Sequence, residues 1–525
     1  MSNFWADQIA REIVDREEKL GRSSSYRTEM GLGASGIPHV GSCGDGIRSY
    51  VVNLALKELG AKSEFIAFSD DKDGLRKVPV GFPVSEQDIG KPVSDIPDPL
   101  GCHDSMASHI SALLTDSFDK LGVEFRLLRA HEEYKKGTLD HQIITALTHA
   151  KRCGEIVRET TGSEKFLTQL PYLPICEKCG RIYTTRAYRF DEETKKIHYK
   201  CDLAFIGKNS NTGKEVEIKG CGHDSTCGIR DGKLAWKVEF AARWAALKVN
   251  YEAYGKDILD SVRCNDKISG EIFGWQPPLH SFYELFTERS GKKISKSAGN
   301  VFTPARWMKY ASPVSLRLLF LKRLATSRVV DPDAIPAYMD EVDELEKIYF
   351  GKTKVANQKD LEHQKRLYEY IHFLKTPGKV GESVPYNMLA NLLRLAKNKD
   401  VVKEILKRTG HVSDPERIND RLQHVENWVH DTTPDEKISY SLSDEQKKAV
   451  KKLVYELESK EWAEEELYAR LYAIPKEDGL ELGKFFEAAY VLLLNSLRGP
   501  RLAQFICAVG CEKAAQILKS RLNEF

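Results

Sequence analysis

The stretch SYRTEMGLGASGIPHVGSCGDGIRSYVVNLALKELG, residues 25–60, decides the fold. Its opening, SYRTEMGLG, predicts a short strand that runs out into glycines. Its close, GDGIRSYVVNLALKELG, places apolar residues at helical spacing and stops at Gly60. Between them SGIPHVGSCGD, residues 35–45, holds glycines, a proline and a single histidine. Gly31, Gly33, Gly36 and Gly41 let backbone approach a ligand closely, and the following helix offers N–H groups and a positive dipole end to phosphate. His39 adds a donor that can reach a phosphoryl oxygen, and Ser42 follows it in the same turn.

The alternation continues outward. SEFIAFSDD is an apolar strand, DSMASHISALLTDSFDKLG an amphipathic helix and VEFRLLR a third strand. Strand, helix, strand, helix, strand at these lengths predicts an α/β fold with a doubly wound parallel sheet, whose ligands bind beyond the C-terminal strand ends. The pattern breaks between residues 139 and 235, where a long helix, LDHQIITALTHAKRCGEIVRETTG, leads into cysteine-rich loops. It resumes with YEAYGKDILDSV and PPLHSFYELFTERSGKKISKSAGN, as expected if a segment is inserted between two halves of one sheet. Beyond about residue 340 the chain is strongly helical, with KTPGKVGESVP as an internal loop. The expected division is 1–138 and 236–340 for the two sheet halves, 139–235 for the insertion and 341–525 for a helical domain.

Composition limits the function. At 525 residues the chain exceeds one compact core, and its 41% hydrophobic and 30% charged content is that of an ordinary globular protein. No apolar run reaches membrane-span length and the N-terminal segment is a charged amphipathic helix, so no membrane association and a cytoplasmic location are expected. A net charge of +2 excludes a protein coated in positive potential, so any nucleic-acid contact is local. Of eleven cysteines, Cys176, Cys179, Cys201, Cys221 and Cys227 crowd into one segment, which favours a metal site over disulfides. CEKCG, residues 176–180, is a knuckle whose two thiolates can face one ion; Cys201 and Cys221 are the best second pair, with His223 and Cys227 in reserve. A closed tetrahedron there would be a structural zinc, with residues 203–219 as an extra hairpin.

A second polar stretch, KKISKS, residues 292–297, joins lysines and serines around one isoleucine. Alone it is a charged surface loop, just as the glycine turn alone is strand-on-helix packing. Together they can embrace a triphosphate, with backbone N–H groups and a histidine on one side and lysines on the other, where negative charge shifts during attack at the alpha-phosphorus.

HVGS at 39–42 resembles the HIGH-type signature and KISKS at 293–297 the KMSKS signature of class I aminoacyl-tRNA synthetases. DDKDGLRKVP, IPDPLGCHDS, LAWKVEFAARWA, YGKDILDSV and GPRLAQF narrow the resemblance to the class I lysyl-tRNA synthetases, across nearly the whole chain. The resemblance implies a Rossmann-like catalytic domain interrupted by the zinc-bearing insertion and followed by a helical anticodon-binding domain. It implies activation of lysine with ATP and magnesium, then transfer to tRNA(Lys), by a chain expected to be monomeric. His39, Gly41, Lys293 and Lys296 would act on the phosphates, and Gly33, Gly36, Ser42, Ser295 and Asp257 would hold ATP, Asp257 at the ribose hydroxyls or else as a helix N-cap.

Glutamyl-tRNA synthetases carry arginine in the first-strand pattern R-F-A-P-S-P-T-G; sliding it onto EMGLGASG puts Glu29 there, an inversion suited to a cationic substrate. Glu29 with Asp70 or Asp71 is therefore expected to receive the lysine ammonium beside Gly31, with a salt bridge from Glu29 to Arg27 or another basic neighbour as the alternative. Trp236 and Tyr283 match the family's pocket aromatics, while Ile258 and Gly33 depart from its usual His and Thr or Ser. In the helical tail Lys397, Lys399, Lys403, Lys407 and Arg408 are at spacings that could meet phosphates. Competing readings are a class I synthetase for another amino acid such as glutamate, and a non-catalytic nucleic-acid-binding paralogue.

Overall fold

The computed structural model describes residues 4–523 except 23, 285, 288–301, 325, 409, 411–413 and 433–439. Two compact units divide the chain: residues 1–305, 317–331 and 355–376 form the first, and 306–316, 332–354 and 377–525 the second. The division departs from the expected one at two places. Residues 139–235 cluster with the sheet, and 355–376 belong to the first unit although they lie deep in the helical part of the sequence. The reason for the second departure is a set of buried charges. Arg366, on helix Gln358–Ile371, reaches Asp7 of α1 (Trp5–Lys19) at 2.7 Å, and Tyr370 stacks on Phe4.

In the first unit a five-stranded parallel sheet orders its strands Leu279–Tyr283, Tyr251–Gly255, β1 (Tyr26–Leu32), β2 (Ser63–Ser69) and Arg126–Arg129. Tyr26, Met30, Leu32, Phe65, Ile66, Phe68, Tyr251 and Tyr254 of the central strands are buried, as a sheet covered on both sides requires. The chain winds from β1 to one edge and then returns to the other side of β1. Strand order therefore reverses between β1 and Tyr251–Gly255, and a crevice opens at their C-terminal ends.

Helix α2 (Val40–Glu58) follows β1 and ends where expected, with Gly60 at φ +83°. Gly46 lets α2 lie close against its neighbours, because a Cβ there would come within 2.3 Å of Phe118 and 2.7 Å of the Met30 sulfur. Helix α3 (Met106–Lys120) starts on Ser105, whose hydroxyl accepts the Ser108 N–H. The long helix expected after residue 139 is two, Asp140–Thr148 and Ala150–Thr161, broken at His149. Within the insertion Ala204–Asn209 and Glu215–Lys219 form the extra antiparallel hairpin.

The second unit is helical from Ile335–Tyr349 to Cys511–Leu522. Arg421 and Arg417, on Pro415–Thr432, pair with Asp343 at 2.5 Å and Glu346 at 2.7 Å. No helix among the described residues is long and apolar enough to cross a membrane.

Candidate active site and metal centres

A cavity of about 400 Å³ opens where the strand order reverses. Gly31 and Gly33 at the end of β1, Gly255 and Asp257 after the next strand, and Tyr283 at the end of the edge strand line it. His39, the N-cap of α2, faces it with Gly41 and Ser42. The His39 Nδ1 accepts the Ser42 N–H at 3.2 Å, and the neutral imidazole that does so carries its proton on Nε2. A Cβ on Gly41 would lie 2.7 Å from the His39 ring, so glycine is required for that ring position. Gly36 lies apart, in a second cavity of about 790 Å³ that also borders His39, Asp73, Trp236 and Asp257.

Asp70, directly after β2, lines the first cavity, and burial pushes its carboxyl up to about 7 against the pull of Arg243. Glu29 departs from expectation. It is fully buried, pairs with the Arg243 guanidinium and is not among the lining residues. Arg243, in helix Trp236–Leu247, also reaches Asp70 at 3.0 Å and Glu252 at 3.4 Å, so Glu29 acts as counter-charge to an arginine that holds two carboxylates at the cavity wall. The alternative of a basic neighbour is thus realised, though by Arg243; Arg27 bonds Glu64. Asp71 turns away as well, its carboxylate accepting the His131 N–H at 2.8 Å and lying 2.6 Å from His131 Nδ1.

Trp236 lines both cavities, its ring edge-on to Phe240 at 4.8 Å. Tyr283 lines the first, but one ring face is covered by the buried Arg48 guanidinium at 3.9 Å. Asp257 falls in a 3-10 turn, one residue before Ile258, the N-cap of the helix Leu259–Glu271. Lys293, Ser295 and Lys296 lie outside the described residues.

Sequence reasoning missed Asp45, Asp73, Glu252, Trp244, Phe240 and His280, all of which line the cavity. Glu252 accepts the Trp244 indole N–H at 2.5 Å, and its main-chain carbonyl lies 3.0 Å from His280 Nδ1. All six stand in stretches quoted above, Asp73 in DDKDGLRKVP, Phe240 and Trp244 in LAWKVEFAARWA and Glu252 in YEAYGKDILDSV. Only the sheet register shows that they face the same space as Asp70.

The insertion gathers Cys176, Cys179, Cys201 and Cys221, whose sulfurs all lie within 4.8 Å of one another. Cys176 faces Cys221 and Cys179 faces Cys201, each at 3.7 Å. His223 instead meets Glu177 at 2.7 Å, and Cys227 is in the adjoining strand Asp224–Gly228. Four convergent thiols fit a tetrahedral ion. In the tail Lys399 is taken up by Glu426 at 2.7 Å and Lys403 lies 3.8 Å from Asp400.

Sheet and crevice together define a doubly wound α/β protein with a ligand site at its switch point. The family of tRNA synthetases class I (K) matches residues 3–373. Over 532 aligned positions the chain is 41% identical to the lysine--tRNA ligase of Cenarchaeum symbiosum (strain A), covering 99% of this chain and 98% of that protein. It is 30% identical to the lysine--tRNA ligase of Archaeoglobus fulgidus, covering 99% of this chain and all of that one. A solved glutamate tRNA ligase from Elizabethkingia meningosepticum, in complex with its amino acid, overlays at TM-score 0.38 and 13% identity over 95% of this chain and 99% of that one, too loosely to carry an argument. The chain belongs to the class I tRNA synthetases of the lysine type.

Proposed function

We propose that the chain is an ATP-dependent ligase that condenses L-lysine with ATP to lysyl-adenylate and transfers lysine to the 3′-terminal adenosine of tRNA(Lys). One observation carries the reading. The described lining of the first cavity includes Asp45, Asp70, Asp73, Glu252 and Asp257 and neither lysine nor arginine, with Trp236, Phe240, Trp244 and Tyr254 between the carboxylates. Such a wall suits an ammonium on an aliphatic stem. It opposes a glutamate side chain, whose carboxylate would meet like charge.

In this reading the lysine ammonium lies between Asp70 and Glu252, which Arg243 holds in place. A lysine carboxylate oxygen attacks the alpha-phosphorus, a new P–O bond forms as the bond to the beta-phosphate oxygen breaks, and pyrophosphate leaves. The α2 N-terminus, the His39 Nε2 proton and Lys293, Ser295 and Lys296 would meet the phosphate charge, part of which a magnesium ion would neutralise when bound; Asp257 would receive the ribose hydroxyls. A terminal hydroxyl of tRNA then attacks the lysyl carbonyl and AMP departs. The second cavity, which adjoins the first and carries Arg76, Lys77, Lys165 and Lys237, suits the phosphates of an RNA end. The helical unit would engage the anticodon, and the four cysteines would hold a structural zinc.

Pyrophosphate exchange with each standard amino acid, with and without tRNA, tests this. Lysine alone is expected to support exchange. Exchange driven by glutamate, or by no amino acid in the presence of tRNA, overturns the reading.

A further inference from the structure

Asp73 is a wall carboxylate to which the proposed chemistry gives no role. It lines both cavities, as His39, Trp236 and Asp257 do, so it stands where the two adjoin, whereas Asp70 and Glu252 line the first alone. Its backbone is held from two sides. The Asp73 N–H donates to the Asp70 carbonyl at 3.1 Å, and the Asp73 carbonyl accepts the Val93 N–H at 2.9 Å. Gly74 then packs on the insertion, where a Cβ would come within 2.5 Å of the Tyr183 ring.

Behind Asp73 stands Lys233, wholly buried in the strand Gly232–Leu234 of the insertion. Its ammonium pairs with Asp73 Oδ1, and with Glu239 of helix Trp236–Leu247 at 2.5 Å. Tyr134 donates its hydroxyl to Glu239 at 2.8 Å and accepts the Leu234 N–H at 2.9 Å, which closes the array on the strand that carries Lys233. Burial works against the Lys233 charge, but Asp73 and Glu239 hold its ammonium above the usual lysine range. A lysine that served the interior alone would be balanced by Glu239, which is buried with it. The second bond goes instead to a carboxylate that is partly exposed in the cavity wall. Among the described residues Asp73 Oδ2 has no hydrogen-bond partner, so it is left for a further donor.

We propose that Asp73 binds the α-ammonium of the substrate lysine and that Lys233, buried behind it, is the positioning residue that aims it. The inference rests on the function proposed above. With the side-chain ammonium between Asp70 and Glu252, the α-carbon lies toward the junction of the cavities, because the carboxylate it bears must reach the alpha-phosphorus beside His39. The α-ammonium is on that same carbon. Two carboxylates border both cavities, and Asp257 is engaged with the ribose, which leaves Asp73 for the ammonium. Holding side chain, ammonium and carboxylate of one carbon at three points turns the carboxylate toward phosphorus and admits the L-form alone.

Lysine-dependent pyrophosphate exchange by the full-length protein, with tRNA present and ε-aminocaproate as competitor, tests this. That acid is lysine without its α-amino group. The unsubstituted protein should bind it at least about tenfold more weakly than lysine. Asp73→Asn should raise KM for lysine at least about tenfold and leave the inhibition constant of ε-aminocaproate within about twofold of its starting value. Lys233→Met with Glu239→Gln, which removes both buried charges together, should show the same selective loss, and Lys233→Arg, which keeps the cation, a smaller one. Equal binding of the two acids by the unsubstituted protein overturns the proposal without any variant. So does a folded Asp73→Asn that weakens both acids alike or neither, or a folded double variant with unchanged KM for lysine. Absence of any lysine-dependent exchange in the unsubstituted protein would overturn the proposed function as well, whereas exchange on lysine with an unselective Asp73→Asn removes the α-ammonium site only.

Discussion

Three single residues set the electrostatics of the cavity. Arg243 faces Glu29, Asp70 and Glu252, all buried, so one guanidinium serves three carboxyl groups. Removing the guanidinium leaves those carboxylates without compensation, and Arg243→Met should cost about 3–5 kcal/mol, read as a lowered thermal midpoint. Glu252→Gln removes charge from the wall while keeping an acceptor for Trp244. It should raise KM for lysine at least about tenfold and leave KM for ATP near its starting value. An equal rise in both would remove Glu252 from the lysine subsite. Asp70 gives the site a pH dependence, because burial raises its carboxyl to about 7. Above that pH the carboxylate is charged and attracts the ammonium; below it lysine must displace a proton. KM for lysine should therefore climb as pH falls through 7, approaching about tenfold per unit, and Asp70→Asn should abolish the slope.

At the scale of elements the decisive feature is the start of α2. His39 caps the helix with Nδ1, and Gly41 clears the space its ring occupies. Gly41→Ala pushes that ring aside. Lysine-dependent exchange is expected to lose about 10–100-fold in kcat with little change in KM for lysine, the signature of an interaction made in the transition state. The strands were legible because their apolar runs are bounded by glycine and acidic residues. The break at His149 was not, since Asp140–Thr148 and Ala150–Thr161 carry one continuous helical pattern and only packing separates them. The sequence offered Cys221 first, with Cys227 in reserve. The structure brings Cys221 to the cluster and puts Cys227 in a strand paired with Lys196–Lys200.

For the whole molecule the boundary between units matters more than its position in the sequence indicates. Residues 355–376 read as part of the helical tail, yet Arg366 is gripped by Asp7 at 2.7 Å and by Glu369 at 2.7 Å on its own helix. A chain cut at 340 would lose the Arg366 and Tyr370 contacts of the buried Asp7. A fragment ending at 340 is expected to melt at a lower temperature than one ending at 376, by circular dichroism, because only the longer fragment keeps this pair. If both stay folded, lysine-dependent exchange should survive in the longer fragment better than charging of tRNA does.

The sequence by itself determined the alternating elements, the glycine turn with His39, the cysteine cluster and the membership of a family, because each of these is written in local spacing or in contiguous signatures. The partners of charge were decided only in three dimensions. Glu29 was expected at the substrate and lies against Arg243, more than 200 residues along the chain, while Glu252 and Asp73, both inside quoted stretches, show only through the sheet that they reach the cavity. Whether a carboxylate meets solvent, an arginine or a ligand depends on which strands are neighbours and which face each residue takes. That register arises when the sheet closes around β1.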